Sequence, residues 1–192
     1  MNPNRSRFWF LCALGVIAAV TRAFPHPNNV SPMAAVALFG AASFSSKRWG
    51  LVIPLLALLL SDFLLDLTFR AGIQPNWGFY PGQWVVYLCA LLTIGLGFAI
   101  RNRKSPNTIM AATLTSSLIF FVVTNLVYTY GPDSIYPRTI EGLTTSYINA
   151  LPFFRNSLLG DLFFSGLLFG GLAFAESRFP ELRREGSGLT VV

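Results

Sequence analysis

Six apolar runs separated by short polar breaks organise this chain, at roughly residues 8–23, 30–44, 51–69, 83–100, 108–130 and 152–175. A helix needs about 20 apolar residues to cross the hydrocarbon layer of a bilayer, roughly 30 Å thick. Most of the runs approach that length, and each is read as a helix. The second is short and rich in alanine. It is entered through Pro25-His26-Pro27-Asn28-Asn29 and Ser31-Pro32, and is short enough to be tilted or to enter only part of the membrane. Pro54, Pro106 and Pro152 lie near the expected helix starts, where a missing N–H costs least. The stretch from Gly131 to Leu151 is polar and aromatic, with Pro132, Pro137 and Gly142. It reads as an ordered loop with room for a short helix. Arg5 and Arg7 before the first run imitate a secretory signal. Arg22 breaks the neutral cleavage region and further runs follow, so the first run reads as helix 1.

Composition supports this reading. Only 11% of the 192 residues are charged and 53% are hydrophobic, whereas soluble domains carry roughly 25% charged residues. The predicted class is an all-α membrane protein, a six-transmembrane-helix bundle. It forms a single integral domain over residues 1–178, followed by a polar tail, 179–192, expected to be disordered. The net charge of +6 does not point to nucleic acid, because the basic residues lie in small groups between apolar runs. With the N-terminus inside, Arg5, Arg7, Lys47, Arg48, Arg101, Arg103, Lys104, Arg178, Arg183 and Arg184 fall on the cytoplasmic side. Arg22, Arg70, Arg138 and Arg155 fall outside. By the positive-inside rule, both termini are expected in the cytoplasm of a bacterium, with the protein multi-pass in its inner membrane. Cys12 and Cys89 both lie inside apolar runs and read as small buried side chains.

Three acids interrupt the runs: Asp62, Asp66 and Asp161. A carboxylate at mid-membrane costs at least about 2.5–3.5 kcal/mol on insertion scales, so such residues face a cavity or a partner. Asp62 and Asp66 are four apart and share a helix face. All three fall in the outer half of the bundle. At the same level lie Arg22, His26, Asn28, Asn29, Tyr87, Asn125, Tyr128, Asn149, Arg155 and Asn156. The cytoplasmic halves hold few such groups, which predicts a polar pocket open to the outside and floored by an apolar inner half. Plainer readings stand beside this one. Asp62 or Asp66 can pair with Arg155 or Arg22 to hold helices together, and Asp161 can cap a neighbouring helix. His26 can simply order its proline-rich loop. Trp77, Tyr80 and Trp84 suit an interfacial belt or a ligand lid. Small residues four apart (Gly15 and Ala19, Ala37 and Ala41, Gly166 and Gly170) suit helix packing or docking of a membrane partner.

Catalytic patterns are poor. One histidine and no HExxH exclude the common zinc-protease layout. Leu159-Gly160-Asp161 lacks the GxGD pattern of intramembrane aspartyl proteases, and no Gly-rich phosphate loop is present. No cofactor and no metal ion is expected.

The stretch PHPNNVSPMAAVALFGAASF, followed by PLLALLLSD (Pro54 to Asp62), resembles a family of small, uncharacterised bacterial membrane proteins classed as transport proteins. So do VVYLCALLTIGLG (Val85 to Gly97), FFVVTN (Phe120 to Asn125) and GLTTSYINALPFFRNSLLGDLFF (Gly142 to Phe164). That family is similar to the substrate-binding S components of energy-coupling factor (ECF) transporters, the solitary vitamin B12 S components being the nearest functional relatives. The resemblance implies six helices and a vitamin-sized ligand held near the outer surface. It further implies docking to a transmembrane coupling protein that carries ATPase subunits. The B12 components use a cysteine near the start of helix 4 as a cobalt ligand. Here that stretch reads Tyr80-Pro81-Gly82-Gln83-Trp84, and Cys89 lies deeper. By motif position, His26, Asp62 and Tyr87 carry over as ligand contacts. The leading expectation is a substrate-capture subunit for uptake of a vitamin-like molecule. An intramembrane enzyme using Asp62, Asp66 or Asp161, and a non-catalytic assembly protein, stand as alternatives.

Overall fold

A computed structural model describes residues 3–24, 26–73, 75, 77–131 and 134–183. Among these residues the protein is helical throughout. Its elements are α1 (Pro3–Thr21), α2 (Met33–Ser43), α3 (Lys47–Arg70), α4 (Trp84–Ile100), α5 (Pro106–Tyr130) and α6 (Ile140–Arg178), closed by a 3-10 turn at Pro180–Leu182. Helices α3, α5 and α6 are long and apolar enough to cross a membrane, which is the construction of a membrane protein. Their outward faces carry large exposed apolar side chains, among them Leu59, Phe63, Leu118, Phe163 and Leu167, suited to a lipid environment.

The shortest helix is the most enclosed. Ten of the 11 residues of α2 are buried, and it packs against every other helix. A helix apolar all round belongs inside a bundle, and small residues let its neighbours approach. A Cβ on Gly97 of α4 would sit 2.6 Å from both the Cβ of Ala41 and the Leu38 carbonyl oxygen. Only glycine therefore permits the present α2–α4 spacing. Ala37 and Ala41 are consumed by this internal packing, and Ala19 on α1 is likewise fully buried. Beside Gly166 and Gly170 on α6, by contrast, there is open space.

Hydrogen bonds at the two ends show how the helices alternate. At one end, the buried Arg7 near the start of α1 bonds to the Ser43 and Leu182 carbonyls and to the Glu176 carboxylate. Arg101, which follows α4, bonds to the Phe44 and Ser45 carbonyls. Both arginines thus cap the C-terminal end of α2, where unsatisfied carbonyls and the negative end of the helix dipole favour cations. At the opposite end, Arg22 after α1 reaches Asp62 on α3, and Asn156 on α6 donates to the Asn28 carbonyl at 3.0 Å. The result is an up-and-down bundle around α2.

Two expectations need correction. Helix 6 begins at Ile140, not at Pro152, and Pro152 lies inside it. Thr139 starts it by accepting from the Gly142 N–H at 3.1 Å, so the polar stretch 140–151 coils before the apolar run begins. Pro152 forfeits one helical hydrogen bond but faces outward. At 39 residues and about 1.5 Å each, α6 is long enough to project well beyond a bilayer core. The tail, expected to be disordered, instead packs at its start: Leu182 is buried and its carbonyl receives Arg7. Residues 184–192 of that tail lie outside the described residues.

Candidate functional site

Beyond the N-terminus of α2 lies a cavity of about 580 Å³. Its wall comes from the α1–α2 connection (Arg22, His26, Asn28, Asn29, Ser31), the first residues of α2 (Met33, Ala34) and the α3–α4 connection (Pro75, Trp77, Tyr80). The facing halves of α3 to α6 complete it, with Leu58, Leu65, Cys89, Thr93, Ser116, Phe120, Phe153, Ser157 and Asp161 among the contributors.

The α1–α2 connection is shaped by a tight turn, the Val30 N–H donating to the Pro27 carbonyl at 3.1 Å. Asn29 takes a left-handed backbone at φ +64°, a conformation asparagine tolerates better than most residues. His26 Nδ1 lies 3.0 Å from the Pro27 carbonyl. A carbonyl can only accept, so Nδ1 carries the hydrogen. Nε2 is buried and has no hydrogen-bond partner among the described residues.

Asp62, fully buried, ties this wall together. Its Oδ1 accepts from Arg22. Its Oδ2 accepts from Gln83 Nε2 at 2.6 Å and from the Tyr87 hydroxyl at 2.8 Å. Gln83 Nε2 also donates to the Gly78 carbonyl at 2.8 Å. Gly78 itself lies so close to α3 that a Cβ would run into the Asp62 carbonyl oxygen. The carboxylate therefore binds the end of α1, the α3–α4 connection and the start of α4 to one point on α3. Trp77 and Tyr80 ride on the connection it anchors. Burial, reinforced by the neighbouring Tyr128, pushes the Tyr80 phenol up to about 12, so it remains a neutral donor.

Asp161 differs. It is 6% exposed, lines the cavity, and accepts from Ser117 on Oδ2 at 2.7 Å. Among the described residues it has no cationic partner. Further down, the Thr93 and Ser116 hydroxyls bond each other at 2.7 Å on the same wall.

Of the residues singled out from sequence, Arg22, His26, Asn28, Asn29 and Asp161 line the cavity. Asp62 and Tyr87 brace its wall, and Asn156 bonds the connection that forms its rim. Asp66 is drawn into a pair with Arg70 one turn on, at 2.6 Å. Asn125 is buried against Ser146, whose hydroxyl donates to it at 3.1 Å. Tyr128 is part-exposed and touches the site through Tyr80. Asn149 reaches Tyr136 at 3.4 Å, and Arg155 is exposed on α6. Trp77 and Tyr80 face the cavity, whereas Trp84 does not line it. Gln83 and Ser117 were not anticipated. The signal for Gln83 is its spacing of four from Tyr87, which puts both on one face at the entry to α4. That for Ser117 is the cluster of hydroxyl residues Thr113, Ser116 and Ser117 inside an apolar run.

Apolar helices with exposed greasy faces, enclosing a partly polar cavity at one end of the bundle, define a membrane protein built around an internal chamber. The chain belongs to the family of unknown function DUF6580, whose model matches residues 2–182. No curated protein and no solved structure matches the chain.

Proposed function

We propose that this protein is a membrane-embedded capture subunit that binds a small, vitamin-like solute in the chamber beyond α2 for uptake, in the manner of an ECF S component. One observation carries the reading: a chamber of about 580 Å³ inside the bundle, lined by apolar and aromatic groups with a few convergent polar ones. Ligand sites typically occupy about 300–1,000 Å³ with that kind of wall. The placement of charge supports an orientation. Arg7, Lys47, Arg101 and Lys104 cluster at the end away from the chamber, so that end is the cytoplasmic one. The chamber then opens to the outside of the bacterial inner membrane, with six membrane-inserted helices and both termini inside. Helix α2 is 11 residues, about 16 Å at 1.5 Å per residue, and enters only half the bilayer. Asp62 acts here as the brace of the wall, leaving Asp161 and the His26 loop to meet the solute. The exposed glycine face of α6 and the other cytoplasmic-side surfaces are available for a coupling protein with its ATPase subunits.

Native mass spectrometry of the protein purified in mild detergent tests this directly. A small molecule should accompany the protein and be lost from a variant in which Ala90, on the α4 wall of the chamber, is changed to tryptophan (Ala90→Trp) to fill it. A protein that is empty in every preparation, and shows no thermal shift across a panel of vitamins, refutes the capture reading.

A further inference from the structure

The charge balance of the chamber speaks to the chemistry of its occupant. The Arg22 guanidinium is answered by Asp62, so that pair contributes little net charge. Two lining groups keep unfilled capacity at acceptor atoms, and one of them is a carboxylate. Asp161 uses Oδ2 for Ser117 and leaves Oδ1 without a donor among the described residues. His26 commits Nδ1–H to Pro27 and, in the neutral ring, leaves a lone pair on a buried Nε2 without a partner among the described residues. A nearly buried carboxylate held by one neutral hydroxyl is costly inside a membrane protein unless a counter-charge meets it. The N-terminus of α2 offers at most about half a positive charge, less than the carboxylate needs. Aromatic side chains complete the wall: Trp77, Tyr80, Phe120 and Phe153. Their faces attract cations and flat rings alike.

We infer that the captured solute carries a protonated nitrogen or amidinium group that pairs with Asp161, on a flat body held between the aromatic walls. This inference rests on the capture reading and narrows it to organic cations. Carboxylates and phosphates, facing the Asp161 carboxylate, should bind less well than the cation.

Three probes of one shape and different charge test it: 2-naphthamidine (cationic), 2-naphthamide (neutral) and 2-naphthoate (anionic). Binding to the full-length protein in lipid nanodiscs is measured by quenching of tryptophan fluorescence and by thermal shift. The cation should bind at least tenfold more tightly than the amide, with the carboxylate weaker still. Asp161→Asn keeps an acceptor for Ser117 and should erase the preference for the cation over the amide. Ala90→Trp should block all three. If the amide or the carboxylate binds as well as the cation, and Ala90→Trp abolishes that binding, the charge assignment is overturned while capture stands. An unchanged preference in Asp161→Asn also overturns it. If none of the three binds and the purified protein is empty, both readings fall.

Discussion

Removing the negative charge of Asp62 should loosen the bundle at the chamber end, and the size of the effect follows from its partners. All three are donors: Arg22, Gln83 and Tyr87. In Asp62→Asn one oxygen becomes an NH2 group, so at least one of these donors faces another donor, and Arg22 loses its counter-charge. Breaking a buried ion pair from one side costs about 3–5 kcal/mol. The Arg22 side chain is 16% exposed and can recover some hydration, so the lower end, about 3 kcal/mol, applies. For a chain of this size each kcal/mol moves Tm by about 2–4 °C, which gives a drop of roughly 6–12 °C. Tyr87→Phe, which removes one neutral donor and leaves the ion pair, should cost only about 1 kcal/mol.

The decisive comparison is the double variant Arg22→Met with Asp62→Leu. Replacing both members of a buried pair by apolar residues is often neutral, and only Tyr87 then lacks its acceptor, since Gln83 keeps the Gly78 carbonyl. The double variant should recover at least half of the Tm lost by Asp62→Asn, measured by thermal unfolding in one detergent. If Asp62→Asn melts within about 1 °C of the parent, or the double variant is worse than either single change, Asp62 is not the brace described here.

Other variants probe the packing. Gly97→Ala should cost about 1–3 kcal/mol by overpacking, because its Cβ would meet Ala41 and Leu38 of α2 at 2.6 Å; Gly95→Ala, beside open space, should be neutral in the same melt. Arg7→Met should lower Tm by about as much as Asp62→Asn, since it leaves Glu176 and the Ser43 and Leu182 carbonyls without their donor; limited proteolysis should then cleave more readily after residue 178. Pro152→Ala restores an N–H inside α6 and should raise Tm, by at most about 3 kcal/mol of stability; a fall would mean that the shape given by the proline is itself needed.

The apolar runs make the positions of α3, α4 and α5 legible to within a few residues, because lipid-facing helices must be apolar along their whole length. The start of α6 is not legible in that way. Residues 140–151 are polar and project past the apolar run, so hydropathy is silent there, and only the Thr139 cap with Gly142 marks the beginning. For the site, buried acids are visible in sequence because they violate the local pattern, but their fates are not. Asp62, Asp66 and Asp161 look alike as letters. One is saturated by three donors, one pairs with Arg70 on its own helix, and one faces a cavity with a single hydroxyl. The Asp66 pair is local, four residues along one helix; what separates Asp62 from Asp161 is which other helices stand opposite, a long-range fact. Arg7 and Arg101 show the same limit. Their positions mark one end of the bundle as basic, yet nothing local reveals that they cap α2.

The chamber has a local cause all the same, and it lies in Ser31-Pro32. A residue before proline is disfavoured in the helical region, so α2 cannot be extended backwards through Ser31 without strain, and the Pro27 turn just before it leads the chain away. The helices around α2 meet no such stop: α3, α5 and α6 run for 24, 25 and 39 residues. A central helix of 11 residues among neighbours of 17 to 39 residues fills one half of the bundle and leaves the other half without a central helix. Two arginines fix the filled half at its far end by binding the Ser43 carbonyl that ends α2 and the Phe44 and Ser45 carbonyls just past it, which holds the helix against sliding up to close the gap. The unfilled half must then be lined by whatever the longer helices present there. In this chain those positions carry Asp161, Thr93, Ser116 and Cys89 among the aromatic rings, where a bundle meant only to pack would carry leucine.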